Sequence, residues 1–554
     1  MQGVDAVAHI LKQEGVEYLF SYPNNQIIDS AAKIGIRPII ARSEKTLINI
    51  ADGYARSTNG KKPSVVVVQA GPGIENAFGG VTQAFGDRVP LLMIPGGPDQ
   101  SRLGGEFDPL PPYQHVTRWA ARVNQPGRVV ELFRRAFTML RSAPAGPILL
   151  EVPRDVGVAE IPNLDSYKVA RGYRSAGDPA DVAAAARALA EAKRPVIVAG
   201  QGVLWAEASA ELKQLAELLG APVFTTMAGK SAFPEDHRLS LGAGGNTTTG
   251  TAARFLARAD LIVGIGTSFV AKSNFVTPMP AGKRMIHITA DAADVDKDYM
   301  VDLAVVGDAK LILGGLLTEL KGRNNAARAE ETAGEVRQAR EEFLKEWMHR
   351  LSSDEAPINP YRVIWELNAA VDKANTVVTH DSGNPRDQIL PFYQATTPRG
   401  YLGWGKSTQL GTGYGVAMGA KLASPEKLCV NLMGDLAFGT AGMEVETAVR
   451  ERIPIMTVLV NNSVMGGYGH HMPSASKKYN SNRLSGDYAG VAKALGAYAE
   501  QVRDPGDVKA AIERGVRATK EGKPVLLEFI TKEEPVYPGS RDLLAKAAKE
   551  LQPA

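Results

Sequence analysis

The sequence contains a single cysteine and lacks a long apolar run. Cys429, in "KLCVNL", has no partner for an internal disulfide, which is typical of a protein in a reducing compartment. We predict that it is a small buried residue of a strand. No stretch approaches the ~18 apolar residues of a membrane span, and the N-terminal segment lacks the apolar block of a signal peptide. These absences predict a cytoplasmic protein that does not bind membranes.

The charge is also close to balance. There are 63 Lys and Arg against 60 Asp and Glu, a formal net charge of +3, so nothing in the composition favours a nucleic-acid or membrane surface. Hydrophobic residues make up 44% and charged residues 22%, as in ordinary globular proteins. A chain of 554 residues is too long for one core and should form several domains.

Buried β-branched runs alternate with helical patterns in three successive stretches of the chain. Examples are "PSVVVVQAG", "RPVIVAGQGV" and "IMTVLVNNS". This alternation predicts an α/β fold with three consecutive doubly wound parallel-sheet domains. We place them at residues 1–160, 180–325 and 355–535. A charged helix should precede the third domain, and a tail at 536–554 should end in a short basic helix that either covers the site or is solvated.

Two dipeptides follow successive strands of the third domain. Gly434-Asp435 ends the strand in "NLMGDLAFGT", and Asn461-Asn462 ends the strand in "TVLVNNSVMGG", so that 27 positions separate Asp435 from Asn462. In open α/β sheets, ligands bind at the carboxyl ends of the strands. A carboxylate, an amide oxygen and a carbonyl suit Mg²⁺, which also shares phosphate oxygens with a ligand. We therefore predict Asp435, Asn462 and the Val464 carbonyl as ligands of a Mg²⁺ ion.

The segment between the two dipeptides should become a helix after a run of small residues. We expect Gly439, Thr440, Ala441 and Gly442 to leave backbone N–H groups open toward an anion. A diphosphate bound to Mg²⁺ would accept hydrogen bonds from these N–H groups and would also share its oxygens with the cation.

The Gly-Asp and Asn-Asn pair resembles the signature of thiamine-diphosphate (ThDP) enzymes, with Leu436 in place of the second glycine. The three units also resemble, in order, the pyrimidine-binding, central and pyrophosphate-binding domains of the acetolactate synthase, benzoylformate decarboxylase and 2-hydroxyacyl-CoA lyase group. The resemblance implies ThDP and Mg²⁺ as cofactors. In the third domain it implies these ThDP contacts: Gly383, Asn384, Leu410, Gly434, Asp435, Leu436, Ala437, Asn462, Val464 and Met465. Leu410 would support the thiazolium ring.

The resemblance also implies an acid in the first domain that hydrogen-bonds the aminopyrimidine ring of ThDP. In "PIIARSEKTLINIADGYAR" this residue is Glu44, with Ser43 where the family often has His. Such a carboxyl works best when it is partly desolvated. The remaining first-domain contacts implied for the cofactor are Pro23, Gly73 and Asn76.

Polar residues of the first domain are candidates for substrate contacts. The loop "YPNNQIID" brings Asn25 and Gln26 toward the thiazolium by this resemblance, and "PPYQHVTRWA" brings Tyr113 and Gln114. The stretch "SVMGGYGHHMP" matches no subgroup, and the role of His470 and His471 stays open.

The implied reaction breaks or forms a carbon–carbon bond through a C2 ylid and an enamine. We expect an acetolactate synthase-like carboligase or lyase acting on a 2-oxo acid. A 2-hydroxyacyl-CoA lyase or oxalyl-CoA decarboxylase is the alternative, and a non-catalytic ThDP-binding homologue is a further one. The family also implies FAD, or ADP or CoA, as an optional ligand of the central domain. It implies a homodimer or homotetramer with active sites between subunits.

Overall fold

The computed structural model describes residues 1–102, 105, 107–271, 273, 275–323 and 325–551. Its strands form three six-stranded sheets in which every neighbouring pair is parallel. This confirms the predicted fold class. Within the described residues, no helix combines the length and apolar character that crossing a membrane requires.

The first sheet has the strand order β2-β1-β3-β4-β6-β5. Its strands are β1 (Tyr18–Ser21), β2 (Arg37–Ile40), β3 (Val65–Val68), β4 (Leu92–Gly97), β5 (Trp119–Arg122) and β6 (Ile148–Pro153). The helices are α1 (Gly3–Gln13), α2 (Ile27–Lys33), α3 (Glu44–Ser57), α4 (Pro72–Gly86), α5 (Leu110–Tyr113), α6 (Val129–Leu140) and α7 (Arg154–Val158). Strand β3 is buried along its whole length, as expected for a sheet covered on both faces.

The second sheet has the order β12-β11-β10-β7-β8-β9. Its strands are β7 (Pro195–Ala199), β8 (Val223–Thr226), β9 (Ser240–Gly244), β10 (Leu261–Ile265), β11 (Arg284–Thr289) and β12 (Leu303–Val306). The helices are α8 (Pro179–Glu191), α9 (Gln201–Trp205), α10 (Ser209–Leu219), α11 (Gly250–Arg258) and α12 (Ala309–Glu319). Strands β7 and β10 are parallel neighbours, but the strands that follow β7 and those that follow β10 are added to opposite sides of the sheet, which makes a crevice at the carboxyl ends of these two strands. The long helix α13 (Ala326–Leu351) leads to the third sheet.

The third sheet repeats the relative strand order of the first, as β14-β13-β15-β16-β18-β17. Its strands are β13 (Thr376–His380), β14 (Tyr401–Leu402), β15 (Leu428–Gly434), β16 (Met456–Asn461), β17 (Tyr498–Val502) and β18 (Val525–Ile530). The helices are α14 (Pro360–Ala370), α15 (Asn384–Ile389), α16 (Thr412–Ala423), α17 (Asp435–Ala441), α18 (Glu444–Arg450), α19 (Pro473–Tyr479), α20 (Tyr488–Ala494) and α21 (Val508–Lys520). Cys429 is buried in β15, as predicted.

Helix α22 (Ser540–Lys549) in the tail packs against α11 of the central domain. The Ser540 hydroxyl is buried and donates to the Gly245 carbonyl at 2.8 Å. The tail is therefore anchored to the central domain at the start of its helix.

The first and third domains meet along helices α3 and α16. A Cβ added to Gly53 would lie 2.1 Å from the Val416 carbonyl oxygen, and one added to Gly419 would lie 2.0 Å from that of Ile50. Glycine at these positions permits the two helix backbones to touch. Because α3 begins at Glu44, this contact fixes the first-domain candidate acid against the third domain.

Candidate active site

The carboxyl edge of the third sheet brings the two dipeptides together. Strands β15 and β16 are neighbours, with Gly434 opposite Val460. Asp435 follows β15, and one of its carboxylate oxygens accepts the Ser463 N–H at 2.8 Å. The carboxylate and the turn that contains Asn462 consequently lie side by side.

This edge also shields the Asp435 carboxylate from solvent. Asp435 is 4% exposed, and its second oxygen accepts the Leu436 N–H at 2.9 Å. Burial raises the pKa of the Asp435 carboxyl, and the negative charge of Glu528 raises it further. A bound cation would offset both effects. The chemistry of this position therefore fits a metal ligand.

The turn after β16 orients Asn462. Its side-chain oxygen accepts the Val464 N–H at 3.0 Å, and Ser463 between them has a positive φ of 54°. Val464 itself is buried. The tight turn therefore holds the Asn462 side-chain amide next to the Val464 backbone. Within the described residues, no group of three or more His, Cys, Asp or Glu side chains forms a metal cluster, and the predicted ligand set is not of that type.

The helix after Gly434 begins earlier than the sequence suggested. Helix α17 starts at Asp435, so Gly439, Thr440 and Ala441 lie inside it, and the Gly442 N–H bonds to the Phe438 carbonyl at 2.6 Å. The prediction that residues 439–442 leave open N–H groups was wrong. An aspartate is favourable in the first turn of a helix because it faces the positive end of the dipole.

The loop after β13 joins the same edge. Gly383 has a φ of +87°, and Asn384 begins α15. A Cβ added to Gly466 would lie 2.6 Å from the Asn384 amide nitrogen, and one on Gly434 would lie 3.7 Å from the Pro385 ring. The loops after β13, β15 and β16 therefore meet, as the predicted diphosphate site requires. Leu436 and Ala437 lie in the first turn of α17, Met465 lies in the loop after β16, and Ala437 is buried.

A buried acid behind this edge was not singled out from the sequence. Glu528 in β18 has no exposed surface and accepts hydrogen bonds from the Asn461 amide at 2.7 Å, the Ala489 N–H at 2.9 Å and the Gln501 amide at 3.1 Å. It fixes Asn461, the residue before Asn462. The available signal was the charged residue in the apolar strand "PVLLEFIT".

Glu44 is the first residue of α3 and is 5% exposed. Ser43 caps the helix, with its side chain accepting the Thr46 N–H at 3.2 Å. The local sequence Ser-Glu at a helix start explains this conformation. The candidate acid is thus partly desolvated, as its proposed role requires.

The backbone before Glu44 is held by a second acid that sequence reasoning missed. Glu444, at the start of α18, is 2% exposed and accepts the N–H groups of Ser43 at 2.8 Å and Arg42 at 3.1 Å. The Thr447 hydroxyl donates to the same carboxylate at 2.7 Å. The third domain therefore fixes the turn that presents Glu44.

Leu410 lies two residues before α16 and packs against the core shared by the first and third domains. The next residues are anchored by Asp381, which is fully buried and accepts the N–H groups of Gly411 and Gly413, each at 2.9 Å. Burial raises the pKa of the Asp381 carboxyl to about 6, against the effect of these N–H donors. The loop that carries Leu410 is thus rigidly attached to β13.

The predicted substrate residues have different surroundings. The Asn25 amide donates to the carbonyls of Val68 at 3.0 Å and Ile94 at 3.2 Å, and so ties its loop to β3 and β4. Tyr113 is fully buried, and its hydroxyl donates to the Ile74 carbonyl at 2.6 Å in α4. Both side chains hold the first-domain loops in place.

Other predicted first-domain residues remain accessible. The exposed ones are Pro23, Gln26, Asn76 and Gln114. Gly73 is buried in α4, where an added Cβ would lie 2.7 Å from the Gln69 side chain. His470 and His471 are exposed on the loop before α19, with ring centroids 4.0 Å apart.

A large cavity lies between the central domain and its neighbours. Its volume is about 840 Å³, and it opens at the carboxyl ends of β7 and β10. The turns there are rich in glycine, and Gly266 has a φ of +61°. The residues that line this end include Gly200, Gln201, Gly202, Gly266, Thr267, Ser268 and Asp291. This position is where doubly wound sheets bind their ligands.

Family models match all three domains. Residues 1–120 match "Thiamine pyrophosphate enzyme, N-terminal TPP binding domain", residues 182–316 the central domain, and residues 381–529 the C-terminal TPP binding domain. These matches agree with the polar carboxyl edge of the third sheet, the buried Glu44 and the equal strand orders of the first and third sheets. Together they define a three-domain thiamine-diphosphate enzyme. The chain belongs to the family of ThDP-dependent enzymes.

Relatives of named activity extend over nearly the whole chain. It is 30% identical to a glyoxylate carboligase of Escherichia coli O157:H7, covering 96% of this chain and 93% of the relative. It is 30% identical to a sulfoacetaldehyde acetyltransferase of Alcaligenes xylosoxydans xylosoxydans, over 97% and 94%. It is 29% identical to a probable acetolactate synthase large subunit of Methanococcus aeolicus, over 96% and 92%. The chain is thus an enzyme similar to acetolactate synthase and glyoxylate carboligase.

Proposed function

We propose that the chain is a Mg²⁺-dependent ThDP enzyme that forms or breaks a carbon–carbon bond of a 2-oxo acid. The observation that carries the proposal is the hydrogen bond from Ser463 to the buried Asp435 carboxylate, which holds the two halves of the cation site together. Asp435, Asn462 and the Val464 carbonyl would bind Mg²⁺ with the cofactor diphosphate. Gly383, Asn384 and Gly434 would contact the diphosphate from the adjoining loops.

Bound ThDP supplies an electron sink next to the former carbonyl carbon of the substrate. The role of Glu44 is to hold a proton at the aminopyrimidine ring, since its carboxyl is 5% exposed at the start of a capped helix. Leu410 would support the thiazolium ring. Asn25, Gln26, Tyr113 and Gln114 would define the substrate side, with the contacts of half-buried Asn25 and buried Tyr113 holding its loops in position.

We assign carboligation of a 2-oxo acid as the first candidate reaction, because the relatives include acetolactate synthases and a glyoxylate carboligase. Because the relatives also include sulfoacetaldehyde acetyltransferases, a sulfonated aldehyde should be tested as a substrate as well. The test is a panel of pyruvate, glyoxylate, benzoylformate, sulfoacetaldehyde, oxalyl-CoA and a 2-hydroxyacyl-CoA, with products identified by mass. Turnover of a 2-oxo acid to a longer hydroxy-oxo acid supports the proposal, and turnover of the acyl-CoA substrates alone contradicts it.

The cavity of about 840 Å³ favours a nucleotide as a further ligand of the central domain. Its glycine turns allow close approach of a phosphate, and Asp291, which lines the cavity and pairs with Arg88, would accept hydrogen bonds from sugar hydroxyls. FAD is the occupant expected of an acetolactate synthase-like enzyme, and ADP or CoA that of a CoA-dependent lyase or decarboxylase. An absorption spectrum of the purified protein distinguishes them, because flavin absorbs visible light and ADP and CoA do not.

The assembly that we propose is a homodimer or homotetramer in a cytoplasmic location. Exposed first-domain residues such as Gln26, Asn76 and Gln114 would then complete the site of a second subunit. Sedimentation analysis with and without ThDP and Mg²⁺ tests this, and an active monomer would contradict it.

A further inference from the structure

Lys406 brings a cation of the third domain into the large cavity of the central domain. It lies in the loop between β14 and α16 and is one of the residues that line the cavity. Its side chain is exposed, yet burial lowers the pKa of its ammonium group. The accessible surface of this lysine therefore faces the inside of the cavity.

The backbone of Lys406 is fixed by a buried acid of the first domain. Asp87, the residue after α4, accepts the N–H groups of Gly405 at 3.2 Å and Lys406 at 3.4 Å with its carboxylate oxygens. The same carboxylate is paired with buried Arg56 at 3.0 Å. The Asp87 carbonyl accepts the Gln201 amide of the central domain at 2.6 Å. All three domains consequently meet where this side chain begins.

The Lys406 ammonium lacks a strong partner of its own. It donates to the Ser268 hydroxyl at 3.4 Å, which is longer than the ~2.9 Å of an ordinary N–H···O bond. Within the residues that the structure describes, it forms no ion pair with a carboxylate. The lysine is therefore free to donate to a bound ligand.

The acids whose charges act on Lys406 are already neutralised by other cations. These acids are Asp87 and Asp294. Asp87 is engaged in the pair described above, and Asp294 is paired with Arg88 at 2.7 Å and with Lys297 at 2.8 Å. A cation in a partly desolvated place is unfavourable unless an anion compensates its charge.

The other cations that line the described part of the cavity differ from Lys406 in this respect. Each of them is paired with a carboxylate. The pairs are Lys61–Glu207, Arg88–Asp294, Arg141–Glu14 and Arg174–Asp308. The uncompensated positive charge of the cavity is thus located at Lys406.

We propose that Lys406 binds the diphosphate group of a nucleotide in this cavity. The nucleotide rests on the proposed function, whereas the anion-binding role of Lys406 rests on its position and its surroundings. An ammonium group donates strongly to phosphate oxygens, and the Ser268 hydroxyl beside it adds a second donor. FAD, ADP and CoA each contain a diphosphate, so the inference holds for every occupant considered above.

The first test uses the wild-type protein in EDTA, without ThDP, and follows the acetylation of individual lysines by acetic anhydride with mass spectrometry. Lys406 should react, because its ammonium is accessible and its pKa is lowered by burial. Saturating inorganic diphosphate should slow this reaction about tenfold relative to chloride at equal ionic strength, since only the ligand-free fraction reacts. Lys61 lines the same cavity but is paired with Glu207, so its rate should change by less than about twofold.

The other outcomes of this test overturn the proposal. A Lys406 that does not react is not accessible from the cavity, and equal slowing at Lys406 and Lys61 is a general salt effect. Asp435→Ala should retain the protection of Lys406, because Asp435 belongs to the proposed cation site for ThDP. Loss of protection in that variant assigns the diphosphate to the ThDP site and overturns the proposal as well.

The second test measures the Kd of ADP, FAD and CoA by isothermal titration of protein freed of bound nucleotide, again in EDTA. Lys406→Met keeps the length of the side chain but removes the charge and the donor, so binding should weaken about 10- to 100-fold. Lys406→Arg should restore most of the affinity, because it keeps a cationic donor. Lys61→Met is the matched control and should bind within about twofold of wild type.

The two tests separate this inference from the proposed function. Protection of Lys406 by inorganic diphosphate in a protein that binds none of the three nucleotides supports the anion site and refutes the nucleotide. Nucleotide binding that is equally tight in wild type and Lys406→Met overturns the role of Lys406 and leaves the proposed nucleotide in place.

Discussion

The carboxylate of Glu444 accepts the backbone N–H of Ser43 at 2.8 Å, although the two residues belong to different domains. The same carboxylate accepts the Arg42 N–H, so the backbone N–H groups of both residues before Glu44 donate to one buried acid. The position of the candidate catalytic acid is consequently determined by the third domain as well as by its own helix.

Glu444→Gln should impair activity without removing cofactor binding. The glutamine amide oxygen can accept one of the two N–H groups, while its NH₂ group faces the other, which costs about 1 to 3 kcal/mol for an unsatisfied buried group. We expect kcat to fall about tenfold and the thermal midpoint to decrease, measured by steady-state assays and calorimetry. Glu446→Gln is the control, because Glu446 forms partly exposed ion pairs with Arg42 and Arg450. An equal effect of both variants would contradict the specific role of Glu444.

Asp435→Ala should abolish the response to Mg²⁺ and weaken ThDP binding. Loss of one charged ligand to the cation is expected to cost on the order of 1.5 to 3 kcal/mol, about 10- to 100-fold in affinity. Isothermal titration of the apoprotein with ThDP, with and without Mg²⁺, measures this change. The control is Asp372→Ala, at an exposed turn that bonds Ala374 and Asn375. Retained Mg²⁺-dependent binding in Asp435→Ala would exclude this residue as a ligand.

The sequence predicted those parts of the fold and the site that depend on local pattern. Fully buried β-branched runs such as β3 revealed parallel sheets, and the positions of Asp435 and Asn462 after successive strands indicated one shared edge. Glu444 was missed because its partners Arg42 and Ser43 lie hundreds of residues away, and a local pattern carries no information about such contacts. The start of α17 was misplaced because small residues were given more weight than an aspartate at a helix terminus.

Glu44→Gln should remove activity and preserve the fold. Glutamine has the same size but cannot exchange a proton at neutral pH, and loss of a general acid or base costs about 10²- to 10⁴-fold in rate. ThDP binding should change by less than about tenfold, because the third-domain contacts remain. The comparison variant is Glu75→Gln, at an exposed position in the first turn of α4. Activity within about threefold of wild type in Glu44→Gln would refute the mechanism.

The anchor of the Leu410 loop should make stability depend on pH. Burial raises the pKa of Asp381 from 3.8 to about 6, so the folded state binds its proton more tightly than the unfolded state does. The contribution of Asp381 to the free energy of unfolding is therefore full below about pH 4 and is lost as the pH rises through about 6. The total loss should be about 3 kcal/mol. Asp381→Asn removes the titration.

The measurement is the thermal midpoint of wild type and Asp381→Asn between pH 4 and pH 8. The asparagine variant should be the less stable of the two at pH 4, because its amide oxygen can replace only one of the two carboxyl oxygens that accept the Gly411 and Gly413 N–H groups, and its NH₂ group accepts neither. The difference should shrink as the pH passes 6, since only the wild-type residue then carries a buried charge. A constant difference across this range would contradict the prediction, because it would show that Asp381 is ionised in the folded protein throughout and that its pKa is not raised by burial.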